Sequence, residues 1–245
     1  MKALILAAGL GTRLRPLTEK NPKALIKVGS LTLLERAVFY LQKNGIEDMA
    51  INVHYLAPQI VGFIAKNPQL NIKFIFEEKE ILETGGAIKN AESFLKDSEP
   101  FVVFNVDVLT NANLNLALAF HKKNQALATL LVNNRNTARP FLVDASGNLA
   151  GHFDKKNNLK RIVLKKYQTP LREVGFMGIH IISPKIFELM PEDNCFSVVD
   201  LYLGLLAKGY LINVFEFNKA YWQDVGTVER WQQAENDLKN GLILN

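Results

Sequence analysis

Short apolar runs alternate with amphipathic stretches through the first half of the chain. The apolar runs are typical of buried strands and cover 2–7, 49–53, 72–76, 101–105 and 126–132. The stretches between them have the apolar spacing of helices and cover 31–44, 57–66, 86–95 and 113–124. Gly45 and Gly209 each follow a helical stretch and fit helix C-caps. This alternation predicts a mainly parallel sheet flanked by helices.

The pattern changes after residue 133. Turn-forming Asp, Asn, Ser and Gly residues cluster at 144–148 and 154–158, and such clusters favour tight antiparallel hairpins. Apolar runs return at 174–182 and 210–217, with helical stretches at 184–190, 197–208 and 228–239. We therefore predict one α/β domain over 1–245, with a doubly wound, mostly parallel, Rossmann-like sheet and a hairpin-rich antiparallel insertion.

Composition narrows the class of protein. The chain has 245 residues, of which 48% are hydrophobic and 22% charged, as in ordinary globular domains. Its single cysteine, Cys195, excludes an intramolecular disulfide and a multi-cysteine metal site, which favours a reducing compartment. The first apolar run is followed at once by Arg13 and Arg15, so it reads as a strand and not a signal peptide. We expect a cytoplasmic protein.

Charge gives a second limit on partners. The formal net charge is +5, but the lysines are dispersed along the chain and form no dense basic run. No uncharged apolar stretch approaches the roughly 18 residues that a membrane span requires. We therefore expect neither a nucleic-acid nor a membrane partner, and the oligomeric state stays open.

The first strand leads into a glycine-containing loop, Leu6-Ala7-Ala8-Gly9-Leu10-Gly11-Thr12-Arg13. Ligands of open parallel sheets bind beyond the carboxyl ends of the strands. Two glycines allow backbone N–H groups to approach phosphate oxygens closely, and Thr12 and Arg13 add a hydroxyl and a cationic fork. Lys23, which follows the rigid Pro22, offers a second cation. The loop is therefore a candidate triphosphate clamp.

A simple strand-to-helix turn explains the glycine pair alone about equally well. Two better-known phosphate motifs do not fit. A dinucleotide fingerprint requires a third glycine where this chain has Leu14, and the Gly-Lys-Ser/Thr ending of a Walker loop is absent. Asp107, which follows the run 101–105, should lie at the carboxyl edge of a central strand and needs a partner there. Taken alone, it suits a cap or turn as well as a metal.

Residues 6–23 closely resemble the signature of the sugar-1-phosphate nucleotidylyltransferase family. The resemblance implies that the loop from Leu6 to Arg13 binds the nucleotide, with Arg13 and Lys23 catalytic and Lys23 stabilising charge at the α-phosphorus. It also implies that Asp107 and Asp224 hold a catalytic Mg²⁺, an oxygen-preferring cation for which two carboxylates plus substrate phosphates suffice. Taken alone, Asp224 could instead cap the last helix.

The same resemblance divides the pocket between the two halves of the domain. Residues 1–133 would be the nucleotide-binding half, in which Glu83, Gly85 and Gly86 resemble the base-recognition segment. Residues 134–245 would be the sugar-binding half. The sugar phosphate would meet a set of four residues: Asn105, Lys165, Glu173 and Gly178. Simpler interpretations remain for some of these residues. Gly85 and Gly86 could form a glycine-rich turn, and Lys165 could be a solvated surface charge.

The implied reaction joins an NTP to a sugar 1-phosphate and releases pyrophosphate. The segments around Thr84 and Trp222 most resemble N-acetylmuramate-1-phosphate uridylyltransferases, so UTP with that sugar is the first expectation. Mannose- or heptose-1-phosphate guanylyltransferase and phosphocholine cytidylyltransferase are the alternatives. The family usually has glycine where this chain has Val106, so a non-catalytic sugar-nucleotide sensor is also retained.

Overall fold

A computed structural model of the chain describes residues 1–78 and 80–243. Its seven α-helices are α1 Leu33–Lys43, α2 Ala57–Lys66, α3 Glu83–Asn90, α4 Glu92–Leu95, α5 Leu114–Asn124, α6 Val198–Ala207 and α7 Val228–Lys239. Its strands are β1 Lys2–Leu6, β2 Lys27–Val28, β3 Leu31–Thr32, β4 Asp48–Val53, β5 Ile72–Phe76, β6 Phe101–Asn105, β7 Val108–Thr110, β8 Ala128–Asn133, β9 Phe141–Val143, β10 Leu149–Asp154, β11 Leu159–Ile162, β12 Arg172–Ile182, β13 Ile212–Glu216 and β14 Trp222–Asp224.

One ten-stranded sheet organises the described residues. Strands β5, β4, β1 and β6 lie side by side and run parallel, and β13 pairs with β8 in parallel. The long strand β12 is antiparallel to both β6 and β8, and joins these two groups. The first residues of β12 pair instead with β9, from which β10 and β11 continue as antiparallel hairpins. The sheet is thus mixed, and the predicted α/β fold with mostly parallel central strands and an antiparallel insertion is confirmed.

The core lies on both faces of this sheet because successive side chains of a strand point to opposite sides. In β1, Ala3 and Ile5 pack in one cluster with helices α1, α2, α5 and α7, while Leu4 packs in a second cluster with α3, α4 and α6. Both faces of the central strands are therefore buried. This explains why those strands read as continuous apolar runs in the sequence.

Local sequence signals account for several boundaries. Helix α1 starts two residues later than predicted because Thr32 caps it, in a capping box with Glu35. Gly45 and Gly209 have φ of 78° and 90° and directly follow the C-caps Asn44 and Lys208, so both end their helices as predicted. The predicted helix over 86–95 is in fact two helices that meet at Ala91.

The predicted turns of the insertion are also present. The Asp144 carboxylate accepts hydrogen bonds from the N–H groups of Ser146 and Asn148, both at 2.9 Å, and so closes the β9–β10 hairpin. The stretch predicted as a helix at 184–190 is a 3₁₀ helix, Pro184–Leu189. None of the helices within 1–78 and 80–243 is long and apolar enough to cross a membrane.

Candidate active site

The glycine loop begins where β1 ends, at the carboxyl edge of the parallel strands. Leu6 is the last residue of β1, Ala7 and Ala8 are buried, and Gly9 is exposed. A Cβ atom at Gly9 would have open space around it, with no described atom within 4 Å. The loop therefore leaves the core at Gly9 and borders an open space above the sheet edge.

Gly11 turns the loop back over the lysine. Its φ of 63° lies in the left-handed region, and its carbonyl accepts a hydrogen bond from the Thr18 hydroxyl at 2.7 Å. A Cβ atom there would lie 3.1 Å from Thr18 Cγ2 and 3.4 Å from Lys23 Cβ. The 3₁₀ turn Thr12–Leu14 follows directly. Gly11 thus allows the loop to pack closely against Lys23, so that the loop and the lysine can contact the same ligand.

The two aspartates are neighbours in a small antiparallel ladder. Asp107 lies between β6 and β7, and Asp224 ends β14, which pairs with β7 so that Asp224 faces Val108. The Val225 N–H donates to the Asp107 carbonyl at 2.8 Å and continues the ladder. Residues 117 positions apart in the sequence are thereby brought together at the end of a central strand.

Each aspartate already has a cationic partner. The Lys23 ammonium forms an ion pair with Asp107, and their side chains are only 14% and 18% exposed. Asp224 forms an ion pair with Arg230, in the first turn of α7. Arg13 lies near Asp224 as well, because both side chains border Gly226. A Cβ atom placed on Gly226 would lie 3.5 Å from Arg13 Nη2 and 3.8 Å from Asp224 Oδ1. Three cations and two carboxylates therefore converge beneath the glycine loop.

The two carboxylates fit the predicted Mg²⁺ by chemistry and placement. Carboxylate oxygens are the ligands that Mg²⁺ prefers, and this ion usually takes one or two of them together with phosphate and water. In 1–78 and 80–243 no group of three or more acidic, histidine or cysteine side chains could hold a metal. A cation at Asp107 and Asp224 would therefore complete its coordination with water or with phosphate oxygens. The alternative role of Asp224 as a helix cap is wrong, because Thr227 caps α7.

Arg230 was missed by the sequence analysis, although a signal was present. A cation in the first turn of a helix opposes the helix dipole, so its position there calls for a nearby anion. Asp224 supplies that anion. The residue lies six positions beyond the aspartate, and only the tight turn between β14 and α7 brings the two side chains together.

The predicted base-recognition segment opens helix α3, as expected, and its two glycines pack against the segment that precedes α6. The N–H groups of Gly85 and Gly86 donate to the Phe196 carbonyl at 2.9 and 3.3 Å. A Cβ atom at Gly86 would lie 1.9 Å from the Asn194 carbonyl oxygen. The glycines therefore admit the segment that precedes α6, and their N–H groups are taken up by the Phe196 carbonyl. Recognition of a nucleobase by the segment that contains Glu83, Gly85 and Gly86 stays a prediction. Glu83 is exposed, with φ of 57°, a strained conformation for a residue with a side chain.

Two of the four predicted sugar-site residues lie together. Gly178 has φ of 78°, and a Cβ atom there would lie 2.8 Å from Val108 Cγ2 and 3.0 Å from Asn105 Nδ2. It stands at an irregularity in the β12–β8 pairing, between Phe176 and His180. The bend brings β12 against the end of β6, two residues before Asp107. Gly178 and Asn105 thus border the acidic pair.

The other two predicted sugar residues are not gathered there. Glu173 lies inside β12 instead of before it, and forms a 2.6 Å ion pair with Lys155 of the insertion. At about 3.3 Å per residue, it is about 16 Å along the strand from Gly178. Lys165 is exposed on the segment between β11 and β12. Glu173 was expected before its strand, but β12 begins two residues earlier than the apolar run at 174–182.

An arginine that the sequence analysis missed supports the ladder of β14. The Arg135 guanidinium lies over the Trp222 ring, 3.8 Å from its centroid, and donates to the Phe176 carbonyl at 2.6 Å. The Trp222 indole N–H donates to the Met177 carbonyl at 2.8 Å. Burial lowers the pKa of Arg135 to about 10, against the opposing effect of Asp224. The stack fastens β14, and with it Asp224, to β12.

A buried polar pair was also missed. The Asn52 side chain links the Ala7 N–H to the carboxylate of Glu77, and that carboxylate in turn accepts from the Leu82 N–H. Asn52 is the penultimate residue of β4, which lies next to β1. The ring of His54, directly after β4, bonds the Glu77 backbone carbonyl at 2.6 Å. A glutamate directly after a strand gives no sequence signal of burial.

Known proteins are similar to this chain over most of its length. A mannose-1-phosphate guanyltransferase of Aspergillus oryzae is 33% identical over 235 residues, which are 92% of this chain and 61% of that protein. The mannose-1-phosphate guanylyltransferase of Mycobacterium tuberculosis is 27% identical over 98% of this chain and 65% of its own length. The chain thus spans less than two thirds of the length of these curated relatives.

Solved structures match over nearly the whole fold. HddC from Yersinia pseudotuberculosis complexed with GMP-PN gives a TM-score of 0.76 at 25% identity, with 97% of this chain and 99% of that chain covered. UDP-glucose pyrophosphorylase complexed with UDP-glucose gives a TM-score of 0.76 at 20% identity, with 98% of each chain covered. The family model described as nucleotidyl transferase matches residues 2–241. The chain therefore belongs to the nucleotidyl transferase family.

Proposed function

We propose that the protein transfers a guanylyl group from GTP to mannose 1-phosphate or a closely related sugar 1-phosphate. The observation that carries the proposal is the convergence of Arg13, Lys23, Asp107 and Asp224 beneath the glycine loop. The choice of substrates is supported by the relatives named mannose-1-phosphate guanyltransferases and by a similar structure that holds GMP-PN. These relatives give no support to the first expectation, UTP with N-acetylmuramate 1-phosphate.

The proposed reaction needs charge neutralisation more than acid–base chemistry. An oxygen of the sugar phosphate attacks the α-phosphorus, and the bond from that phosphorus to the β-bridging oxygen breaks, so pyrophosphate leaves with the electron pair. The nucleophile is already ionised, so no proton has to be removed. What the site must supply is alignment and positive charge around crowded phosphates.

The residues of the site divide this work. The glycine loop and Arg13 hold the triphosphate, and Lys23 neutralises charge that develops at the α-phosphorus. Asp107 and Asp224 would hold Mg²⁺, which supplies a divalent charge shared between the carboxylates and the phosphates. Asp107 keeps the Lys23 ammonium close to the reaction centre, and Arg230 balances Asp224. Asn105 and Gly178 border the side of the site that the sugar would occupy.

The test is a pyrophosphate-release assay over four NTPs and a panel of acceptors, in Mg²⁺ and in EDTA. The panel contains mannose, heptose, glucose and N-acetylmuramate 1-phosphates, and phosphocholine. We expect the fastest release with GTP and mannose 1-phosphate, and none in EDTA. Fastest release with another acceptor would replace the proposed substrate but keep the reaction. Binding of GTP without release for any pair would overturn the proposal in favour of a sugar-nucleotide sensor.

A further inference from the structure

A chain of three hydrogen bonds, two buried and one partly buried, connects the glycine loop to the segment that opens α3. The Ala7 N–H donates to Asn52 Oδ1 at 2.6 Å, and Asn52 Nδ2 donates to Glu77 Oε1 at 2.6 Å. The second carboxylate oxygen, Glu77 Oε2, accepts from the Leu82 N–H at 3.0 Å. Asn52 and Glu77 are only 3% and 4% exposed. Two buried side chains thus link β1, β4 and β5 at their carboxyl ends.

Only one arrangement of donors and acceptors satisfies all three hydrogen bonds with these two side chains. Each end of the bridge is a backbone N–H and requires an acceptor. Asn52 must therefore present its oxygen to Ala7 and its amide N–H to Glu77, and Glu77 must accept on both oxygens. A buried polar group without a partner is costly, so each side chain depends on the other.

Both ends of the bridge lie next to residues of the proposed nucleotide site. Ala7 is the first residue beyond β1 and leads directly to Gly9 and the phosphate loop. Leu82 precedes Glu83, whose strained φ of 57° begins α3. A strained residue keeps its conformation only where its neighbours are fixed. The bridge fixes the Leu82 side of that junction.

We infer that Asn52 and Glu77 are positioning residues that hold the phosphate loop and the start of α3 at a fixed separation. On this account, which rests on the proposed binding of an NTP, they set nucleotide affinity and the discrimination between bases. Neither side chain contacts the acidic pair or the sugar side of the site in the described residues. Their effect should therefore fall on the NTP and not on the sugar 1-phosphate.

The test exchanges the two functional groups. In Glu77→Gln, one carboxylate oxygen becomes an amide NH₂, so either Asn52 or Leu82 loses its acceptor. In Asn52→Asp, two carboxylates face each other. The double variant Asn52→Asp/Glu77→Gln restores all three hydrogen bonds. The bond between the two side chains then runs in the opposite direction, because the new amide of residue 77 donates to the new carboxylate of residue 52.

Calorimetric titration with each of the four NTPs measures the effect without turnover. We expect each single variant to raise the Kd of the preferred NTP by on the order of 10-fold and to reduce base discrimination, as for loss of a buried hydrogen bond. The double variant should return within about 3-fold of the wild type. Steady-state assays should show KM for the sugar 1-phosphate changed by less than about 3-fold in all three.

A matched control separates positioning from general loss of stability. Thr129→Val removes a buried 2.9 Å hydrogen bond to His121 of α5, remote in the sheet from both loops. It should lower thermal stability as much as the single variants and leave the Kd of the NTP unchanged. Unchanged Kd in folded single variants, or failure of the double variant to recover, would overturn the inference. If the wild type binds no NTP, the proposed function fails together with it.

Discussion

Two glycines with the same backbone angle offer a controlled test of how the site is packed. Gly178 and Gly45 both have φ of 78°, so alanine is strained at either position. Their surroundings differ. A Cβ atom at Gly45 would meet no described atom within 4 Å, whereas at Gly178 it would lie 2.8 Å from Val108 Cγ2 and 3.0 Å from Asn105 Nδ2. The pair Gly178→Ala and Gly45→Ala therefore separates backbone strain from the effect of crowding.

The expected magnitudes follow from these contacts. The left-handed conformation costs alanine about 1–2 kcal/mol in either variant. Gly178→Ala should lose a further ~1–3 kcal/mol of unfolding free energy, because overpacking moves Val108 and Asn105. Val108 follows Asp107 and pairs with Asp224, so the shift reaches the acidic pair. Since displacement of a site by about 1 Å can reduce turnover by as much as 10²-fold, we expect kcat of Gly178→Ala to fall by at least about 10-fold.

Urea denaturation and pyrophosphate release measure both effects on the same preparations. Gly45→Ala should be moderately destabilised and retain wild-type kcat. Gly178→Ala should be the less stable of the two and slow in turnover. Equal losses of unfolding free energy, or full turnover by Gly178→Ala, would refute the claim that Gly178 is present because β12 packs against the end of β6.

Three further predictions concern a charge, a strained residue and pH. Lys23→Ala should lower kcat by on the order of 10²-fold in steady-state assays, whereas Lys20→Ala, at an exposed lysine nearby, should leave kcat unchanged. Equal kcat values for the two variants would contradict the proposed role of Lys23 at the α-phosphorus. Glu83→Gly should raise the unfolding free energy by about 0.5–1 kcal/mol, because glycine adopts positive φ without strain, and destabilisation in urea would contradict this. Burial holds the pKa of His121 at about 4. Because the unfolded chain then binds more protons, His121 should lower stability by up to ~1.4 kcal/mol per pH unit as the pH falls from about 6.5 to 4. Burial lowers the pKa of His180 as well, so His121→Gln should reduce this slope without abolishing it, as measured by denaturation at several pH values.

The sequence was most informative where structure is local or strongly periodic. The runs that became β5, β6 and α7 were predicted to the residue. Strand β6 is a central strand that is apolar along its length, β5 is bounded by the polar residues Asn71 and Glu77, and α7 begins directly after its cap Thr227. The glycine loop and Asp107 were also placed correctly at the sheet edge. Strand ends and turn residues carry these signals directly.

The relationships that the sequence could not show are those between distant segments. The glycines at the start of α3 suggested contact with a nucleobase, but they approach the segment before α6, which no spacing relates to them. The Arg135–Trp222 stack depends on the register of β12 and β14. The Asn52–Glu77 bridge joins the ends of two strands whose adjacency is a property of the sheet. Such contacts depend on which strands are neighbours in the sheet, and local sequence patterns do not show this.

The most direct test of the central claim is to follow which phosphate of GTP joins the sugar. The protein is incubated with mannose 1-phosphate, Mg²⁺ and GTP labelled with ³²P at either the α or the γ position, and the products are separated by chromatography. The account predicts that the α label enters a GDP-sugar and that the γ label leaves in pyrophosphate. Appearance of the γ label in inorganic phosphate or in a phosphorylated sugar, with the α label in GDP, would contradict it.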